Sequence, residues 1–259
     1  MFSDLFYQLV EQGVLVRGIW ETVYMTLLST VIAYGIGLPL GILLNVTGKS
    51  GLHPVRWLNA AVGFVVNIFR SIPFIILMIA MLPVAKVLVG TSLGNKAMIV
   101  MLIIAAAPYV ARMVESSLQE IKPGVIEAAQ AMGASDSVII WRVMLPEAMP
   151  SLITGAVIST VTILGYSAMA GTISAGGLGQ IAVNYGYQRT NNDIIWVCVV
   201  LTVIIVQIIQ SFGMRLAHRL DRRIKHGTSR RAASVKIENR LSPLSAARED
   251  PRTLNERRT

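Results

Sequence analysis

The chain has 259 residues, of which 54% are hydrophobic and 14% are charged, and its formal net charge is +9. A soluble domain carries about 25% charged residues, so this composition excludes an ordinary soluble protein. Residues 215–259 hold 13 of the 23 Lys/Arg and five of the 14 Asp/Glu, so the basic charge is not spread over a fold as in a nucleic-acid-binding protein.

Apolar runs long enough to cross a bilayer recur along the chain, at roughly 20 residues for each helical span. We predict an external N-terminal segment over 1–16, followed by a transmembrane domain over 17–215. The five predicted spans lie at about 22–48, 60–83, 94–113, 148–170 and 193–214. The predicted fold class is therefore an all-α polytopic membrane protein with five transmembrane helices.

The number of spans depends on Ala148–Gln188, which has no charge over 41 residues. Its second half, Gly171–Gln188, is rich in glycine and amide side chains, which favour a bent connection over a lipid-facing helix. A sixth span would also place the basic C-terminal segment outside, against the positive-inside tendency. We therefore predict the N-terminus outside and the C-terminus inside, although Lys86 and Lys96 then lie in an outer loop.

The segment 216–259 is predicted to be a basic cytoplasmic tail. Beyond about Lys225 it is rich in Arg, Ser, Asn and Glu, a composition that favours disorder. Its cations next to a membrane span are typical of a topology signal or of attraction to anionic membrane lipid.

Arg70 is a cation inside an apolar run, which is costly in a bilayer unless it faces a polar lining or the interface. Both placements stay open.

No Ser/His/Asp set or carboxylate pair falls at membrane depth, so we expect no catalytic site. The single cysteine, Cys198, excludes a Cys-rich metal site. No acid follows Glu21 inside a predicted span, which disfavours an ion-coupled secondary transporter.

Residues 120–147 leave the membrane between the third and fourth predicted spans. Pro123 suits a first helical turn and Gly133 a C-terminal cap, so we predict a helix of about ten residues. A second short helix can begin after Ser135 and must end by Pro146. The apolar stripe predicted on the first helix is Ile121, Val125, Ala128 and Met132. Two such short helices make a knob that can enter a groove on another protein.

Gly48-Lys49-Ser50 resembles the end of a phosphate-binding loop. The pattern requires a glycine five residues earlier, where Leu43 stands, and no strand precedes it. We interpret the tripeptide as a cytoplasmic turn. We expect no cofactor in this chain.

The loop matches a known motif. Glu127-Ala128-Ala129, then Gly133, then nine residues, then Val143-Met144-Leu145-Pro146 resembles the EAA loop of ABC importer permeases, with Val143 in place of isoleucine. In that family the loop forms coupling helices that dock on the ATP-binding subunit. The resemblance implies that the docking residues are Glu127, Ala128, Ala129, Gly133, Leu145 and Pro146.

Further stretches, Asn67–Phe74, Ala107–Glu115 and Gly165–Gly171 with Gly176–Gln180, closely resemble the permeases of bacterial D- and L-methionine importers. The resemblance implies a type I ABC importer permease fold in the bacterial cytoplasmic (inner) membrane. It also implies three partners: a second copy of the chain, an ABC ATPase subunit that binds the ATP, and an external substrate-binding lipoprotein.

Methionine is the substrate that the resemblance implies, and another small amino acid or an osmolyte is the alternative. A purely structural membrane scaffold fits the hydropathy but not the coupling-loop motif. Our candidates for lining the translocation pathway are Arg70, Tyr166, Ser167 and Met169.

Overall fold

The structure, a computed structural model, describes residues 4–220, and this part of the chain is entirely helical. The α-helices are α1 (Asp4–Glu11), α2 (Val14–Thr47), α3 (Arg56–Ser71), α4 (Phe74–Ala80), α5 (Leu82–Val89), α6 (Asn95–Gln119), α7 (Pro123–Ala131), α8 (Asp136–Val138), α9 (Leu145–Ser167), α10 (Gly177–Ile181) and α11 (Asn192–Leu220). A π-helical turn, Ile139–Met144, joins α8 to α9. The predicted all-α fold class is confirmed.

Four continuous helical stretches are long and apolar enough to cross a membrane: Val14–Thr47, Asn95–Gln119, Asp136–Ile173 and Asn192–Leu220. The pair α3 and α4 passes the same test together and gives a fifth span if it is counted as one. α11 extends to Leu220, beyond the predicted end of the last span. The tail predicted to be disordered, 216–259, is therefore helical over its first five residues, and its remainder, 221–259, lies outside the described residues.

The second predicted span, 60–83, is not one straight helix. α3 and α4 meet at a bend of 104°. Ile72 adopts an extended conformation, with φ −82° and ψ 126°, because a residue before proline is pushed away from the helical region. Pro73 then precedes α4, and its ring lacks the N–H that a continuing helix would need.

The loop helix predicted to end by Pro146 instead continues into the membrane, so that part of the prediction was wrong. The stretch Asp136–Ile173 is one continuous helical run. Immediately before the proline, the N–H of Leu145 bonds to the carbonyl of Ile140, five residues back. This wider π turn opens the helix where proline has no N–H to donate.

α2 and α6 form the centre of the fold and approach each other closely. A Cβ at Gly37 would lie 2.9 Å from the carbonyl oxygen of Ala107, and one at Gly41 would lie 2.6 Å from that of Ala111. Small residues at such crossings bring backbones into contact, as is common in membrane helix packing. The core around this crossing contains the fully buried Met25, Met98, Met101 and Leu102.

The turn at Gly176 and Gly177, which follows α9, packs against the N-terminal half of α2. Gly176 and Gly177 have φ of +79° and +77°, in the left-handed region that favours glycine. The Gly177 N–H donates to Glu21 Oε2 at 2.8 Å, and the Leu178 N–H donates to Thr22 Oγ1 at 2.9 Å. We call these residues the Glu21 junction. Because α2 begins at Val14, Glu21 lies inside the first long helix and not before it.

Candidate coupling surface and membrane-depth pocket

α7 is bounded as the sequence predicts. Pro123 is its first residue, and Gly133 follows its end with φ +75°. The Gly133 N–H donates to the Gln130 carbonyl at 2.9 Å, and the Ala134 N–H donates to the Ala129 carbonyl at 3.1 Å. This pair of bonds is the Schellman motif, which satisfies carbonyls that a helix end leaves free.

The buried face of α7 differs from the predicted stripe. Ile121 and Ala129 are buried, whereas Ala128 is exposed and Met132 is 81% exposed. The stripe was therefore wrong at Ala128 and Met132. The buried side of α7 packs into the same core cluster as Ile139 and Met144 of the π turn. This packing rotates the buried face by one residue.

The predicted docking residues fall into two groups. Ala129 and Leu145 are buried in the core, where they hold α7 against the π turn. Glu127, Ala128, Gly133 and Pro146 are exposed. We define the α7 surface as the exposed residues Glu127, Ala128, Met132, Val138 and Trp141. An acidic side chain beside large exposed apolar ones is typical of a protein-binding surface.

A polar cavity of about 550 Å³ separates α7 from the turn that follows α2. Gly48-Lys49-Ser50, which the sequence identifies only as a turn, forms one wall, and Glu127 lies on the other. Sequence reasoning missed this juxtaposition, because nothing in either segment indicates that the other lies opposite. The cavity places a lysine and a glutamate around a recess large enough for a side chain of a partner.

Two further contacts join the loop 120–147, which we call the α7 region, to the long helices. The imidazole Nε2 of His53, after α2, lies 2.6 Å from Oδ2 of Asp136 at the start of α8. The Ser151 hydroxyl of α9 donates to Glu120 Oε1 at 3.0 Å, at the C-terminal end of α6. These contacts connect the segments on either side of α7 to the end of α2, to α6 and to α9.

Two of the four predicted pathway residues come together in a second pocket. Arg70 at the end of α3 and Tyr166 near the end of α9 both line a cavity of about 110 Å³. The Tyr166 ring stacks on Phe74, with ring centroids 4.6 Å apart and planes 5° from parallel. Tyr109 of α6 contributes a further ring to the lining. We call this cavity the Arg70 pocket.

The other two pathway candidates lie elsewhere. Ser167 is buried, and its hydroxyl donates to the Leu164 carbonyl of its own helix at 2.7 Å. Met169 is 38% exposed in the 3-10 turn that follows α9 and does not line the Arg70 pocket.

Arg112 holds α3 against α6, a role that the sequence does not reveal. Its guanidinium donates to Glu115 Oε2 at 2.6 Å, to Asn67 Oδ1 at 3.0 Å and to the Gly63 carbonyl at 3.2 Å. These bonds pair a cation inside α6 and fix the last turns of α3. Because Arg70 lies in the same last turn as Asn67, the Arg112 contacts position the Arg70 pocket.

No group of three or more His, Cys, Asp or Glu that could hold a metal ion is found within the described residues.

Comparisons with known proteins identify the family of the chain. The family described as "Binding-protein-dependent transport system inner membrane component" matches residues 37–226. The "Probable D-methionine transport system permease protein MetI" of Vibrio cholerae is 47% identical over 214 residues, covering 83% of this chain and 95% of that protein. The "Methionine import system permease protein MetP" of Bacillus subtilis is 45% identical, covering 79% and 92%.

A solved structure is similar over the same region. In the inward-facing MetNI methionine ABC transporter, one chain superimposes with a TM-score of 0.81 and 47% sequence identity, covering 85% of this chain and 100% of that one.

Proposed function

The chain belongs to the family of binding-protein-dependent transport system inner membrane components, and from this premise we propose that it is the permease subunit of an ATP-driven methionine importer. It forms the translocation pathway for D- and L-methionine across the cytoplasmic membrane of a bacterium. The observation that carries the substrate is the 47% identity, over 95% of its length, to a relative named as a D-methionine permease.

The proposed assembly contains two copies of the chain, an ABC ATPase subunit and an external substrate-binding lipoprotein. ATP is bound by the ATPase partner, and this chain holds no cofactor and catalyses no reaction itself. The N-terminus lies outside and the C-terminus inside. This orientation places the α7 surface in the cytoplasm, where the ATPase subunit can bind it. Glu127, Ala128 and Gly133 contact the ATPase, while Ala129 and Leu145 keep α7 packed on the bundle.

Closure of the ATPase upon ATP binding moves α7 in this mechanism. Because the π turn joins α8 to α9 without a break, displacement of the α7 region tilts the fourth span directly. The contacts of His53 with Asp136 and of Ser151 with Glu120 carry the same displacement to α2 and α6. The spans then open the pathway alternately to the two sides, as in other alternating-access transporters.

Uptake by reconstituted vesicles tests this proposal. The chain is purified with its ATPase partner, reconstituted into liposomes that contain ATP, and supplied with the external binding protein and radiolabelled L-methionine. We expect uptake that requires internal ATP and that unlabelled D-methionine competes for. Uptake that needs an ion gradient and no ATPase would indicate a secondary transporter, and stronger competition by another amino acid or an osmolyte would reassign the substrate.

A further inference from the structure

We propose that Arg70 binds the carboxylate of the transported amino acid inside the membrane. The Arg70 pocket is then a substrate subsite. Its guanidinium selects a free amino acid over derivatives, such as the amide, that have no charged carboxylate. This inference rests on the proposed function, and it assigns to one side chain of the permease a part of the substrate recognition.

The Arg70 pocket lies well inside the span formed by α6. Ala105 and Tyr109 of α6 line it. At about 1.5 Å per residue, they lie roughly 15 and 21 Å from the first residue of the helix, Asn95, and Tyr109 is roughly 15 Å from the last, Gln119. A group bound in the Arg70 pocket is therefore roughly 15 Å or more from both ends of α6.

Arg70 lacks an acidic partner, unlike two other arginines of the long helices. Arg17 pairs with Glu21, and Arg112 pairs with Glu115. Within the described residues, the Arg70 guanidinium has no hydrogen bond or ion pair, and its side chain is exposed. A cation at this depth is stabilised when it meets an anion or a polar lining, so the geometry leaves a place for an anion at Arg70.

Within residues 4–220, the long helices of a second copy of the chain offer no unpaired acid away from the helix ends. The acids within α2 and α6 are Glu21 and Glu115, and each already pairs with an arginine. Glu147 and Asp193 fall in the first turns of α9 and α11, at the helix ends. A carboxylate that reaches Arg70 inside the membrane therefore comes from a small molecule in the pathway.

The remaining lining suits the rest of an amino acid with an apolar side chain. Phe69, Ile72, Phe74, Leu77 and Ala105 are apolar, and Phe74 is stacked on Tyr166. The cavity of about 110 Å³ is roughly ten times the space that one water molecule needs. A thioether packs favourably at the edge of aromatic rings, and a planar guanidinium binds a carboxylate through two parallel hydrogen bonds. A pocket that combines apolar side chains with a fixed charge is typical of small-ligand sites.

Direct binding without the external binding protein tests the subsite. The full-length chain, purified with its ATPase partner in lipid nanodiscs, is titrated with radiolabelled L-methionine and with unlabelled L-methionine or L-methioninamide as competitor. The amide keeps the side chain and the amino group but has no carboxylate. We expect the wild-type complex to prefer methionine by about tenfold or more, the range of a charge-assisted hydrogen-bonded pair, and Arg70→Gln to reduce the preference to within about threefold.

Matched variants separate this role from a structural one. Lys96→Gln removes an exposed cation from the first turn of α6 and is expected to keep the wild-type preference. Arg70→Lys keeps the charge without the planar fork and is expected to give an intermediate preference. A preference that persists in Arg70→Gln overturns the proposal. Equal binding of methionine and methioninamide by the wild type, or no saturable binding at all, overturns it even if Arg70→Gln fails to assemble.

The lipid composition distinguishes a substrate carboxylate from a lipid phosphate. The preference is expected to be the same in zwitterionic nanodiscs and in nanodiscs with phosphatidylglycerol. A preference that disappears when the anionic lipid is added would assign Arg70 to lipid and overturn the subsite. Methionine uptake by the wild type in vesicles is measured separately, so failure of the subsite and failure of the proposed function give different results.

Discussion

The α7 region and the Glu21 junction differ in the sequence separation of the residues whose hydrogen bonds stabilise them. α7 ends in a Schellman motif whose bonds join residues three and five apart around Gly133. At the Glu21 junction, Glu21 and Thr22 accept hydrogen bonds from backbone groups 156 residues away. The α7 region can therefore form as a local unit, whereas the junction exists only after α2 has met the turn at Gly177.

This difference separates docking from stability. The α7 region presents an exposed surface on a locally stabilised helix, so changes there should disturb partner binding more than the bundle. The junction joins two distant parts of the chain through a nearly buried carboxylate, so changes there should destabilise the bundle as a whole. The four predictions below test this division, and the largest expected effect comes first.

Gly176→Ala should have the largest effect. A Cβ at Gly176 would overlap Glu21 Oε2 and would lie 2.8 Å from Asn95 Oδ1, in addition to adopting φ +79°. Gly13→Ala is the matched control, because Gly13 has φ +67° and open space around its Cβ position. Left-handed strain alone costs about 1–2 kcal/mol, and displacement of Glu21 leaves the Gly177 N–H unpaired at about 1–3 kcal/mol more.

The measurement is the thermal unfolding midpoint of each purified variant in detergent. We expect Gly176→Ala to lower the midpoint clearly more than Gly13→Ala does. Equal shifts would mean that only backbone strain matters and that the Glu21 contact contributes nothing to the junction.

Gly133→Ala should destabilise α7 locally. Gly133 has φ +75° with nothing near its Cβ position, so the cost is about 1–2 kcal/mol of backbone strain. The control is Gly124→Ala in the first turn of the same helix, where alanine is favoured by up to about 1 kcal/mol. Hydrogen–deuterium exchange should become faster at residues 123–134 in Gly133→Ala and stay unchanged in α2 and α6. Faster exchange throughout the bundle would contradict a locally formed α7.

The features that the sequence predicted are those that depend on local chemistry. The spans follow from uninterrupted apolar runs, and the ends of α7 follow from Pro123 and Gly133, whose backbone preferences act within one turn. The all-helical class and the family could be recognised from such signals. The sequence analysis gave Arg70 and Tyr166 only as two candidates for lining the pathway. The structure shows that both side chains line the same cavity.

Most of the wrong predictions concern features that packing decides. Pro146 ends an isolated helix, but here the wider turn before it lets the helix continue. Helical periodicity allowed a stripe through Ala128, whereas contact with the π turn buries Ala129 instead. The bend between α3 and α4 was missed, although Pro73 offered a local signal for it. The role of Arg112 has no sequence signal, because its partner Gly63 is 49 residues away.

Glu127→Lys should leave the chain nearly as stable as before while weakening the ATPase complex. Glu127 is exposed and makes no hydrogen bond or ion pair within the described residues, so we expect a stability change within about 0.5 kcal/mol. The control is Glu11→Lys, an exposed acid on α1. The amount of ATPase that copurifies with each variant should fall for Glu127→Lys alone. Full ATPase recovery and uptake in Glu127→Lys would remove Glu127 from the docking surface.

The contact of His53 with Asp136 departs from the local character of the α7 region, since it joins residues 83 apart. Both side chains are more than half exposed, at 63% and 52%, and exposed pairs contribute about 0–1 kcal/mol. A double-mutant cycle with His53→Ala and Asp136→Ala, measured by unfolding midpoints, should therefore give a coupling energy below about 1 kcal/mol. A much larger coupling would show that α7 also depends on a distant side chain. The α7 region and the Glu21 junction would then both depend on long-range contacts and would differ only in how strongly they do so. A small coupling would leave the covalent continuity of α8, the π turn and α9 as the main route by which α7 moves the fourth span.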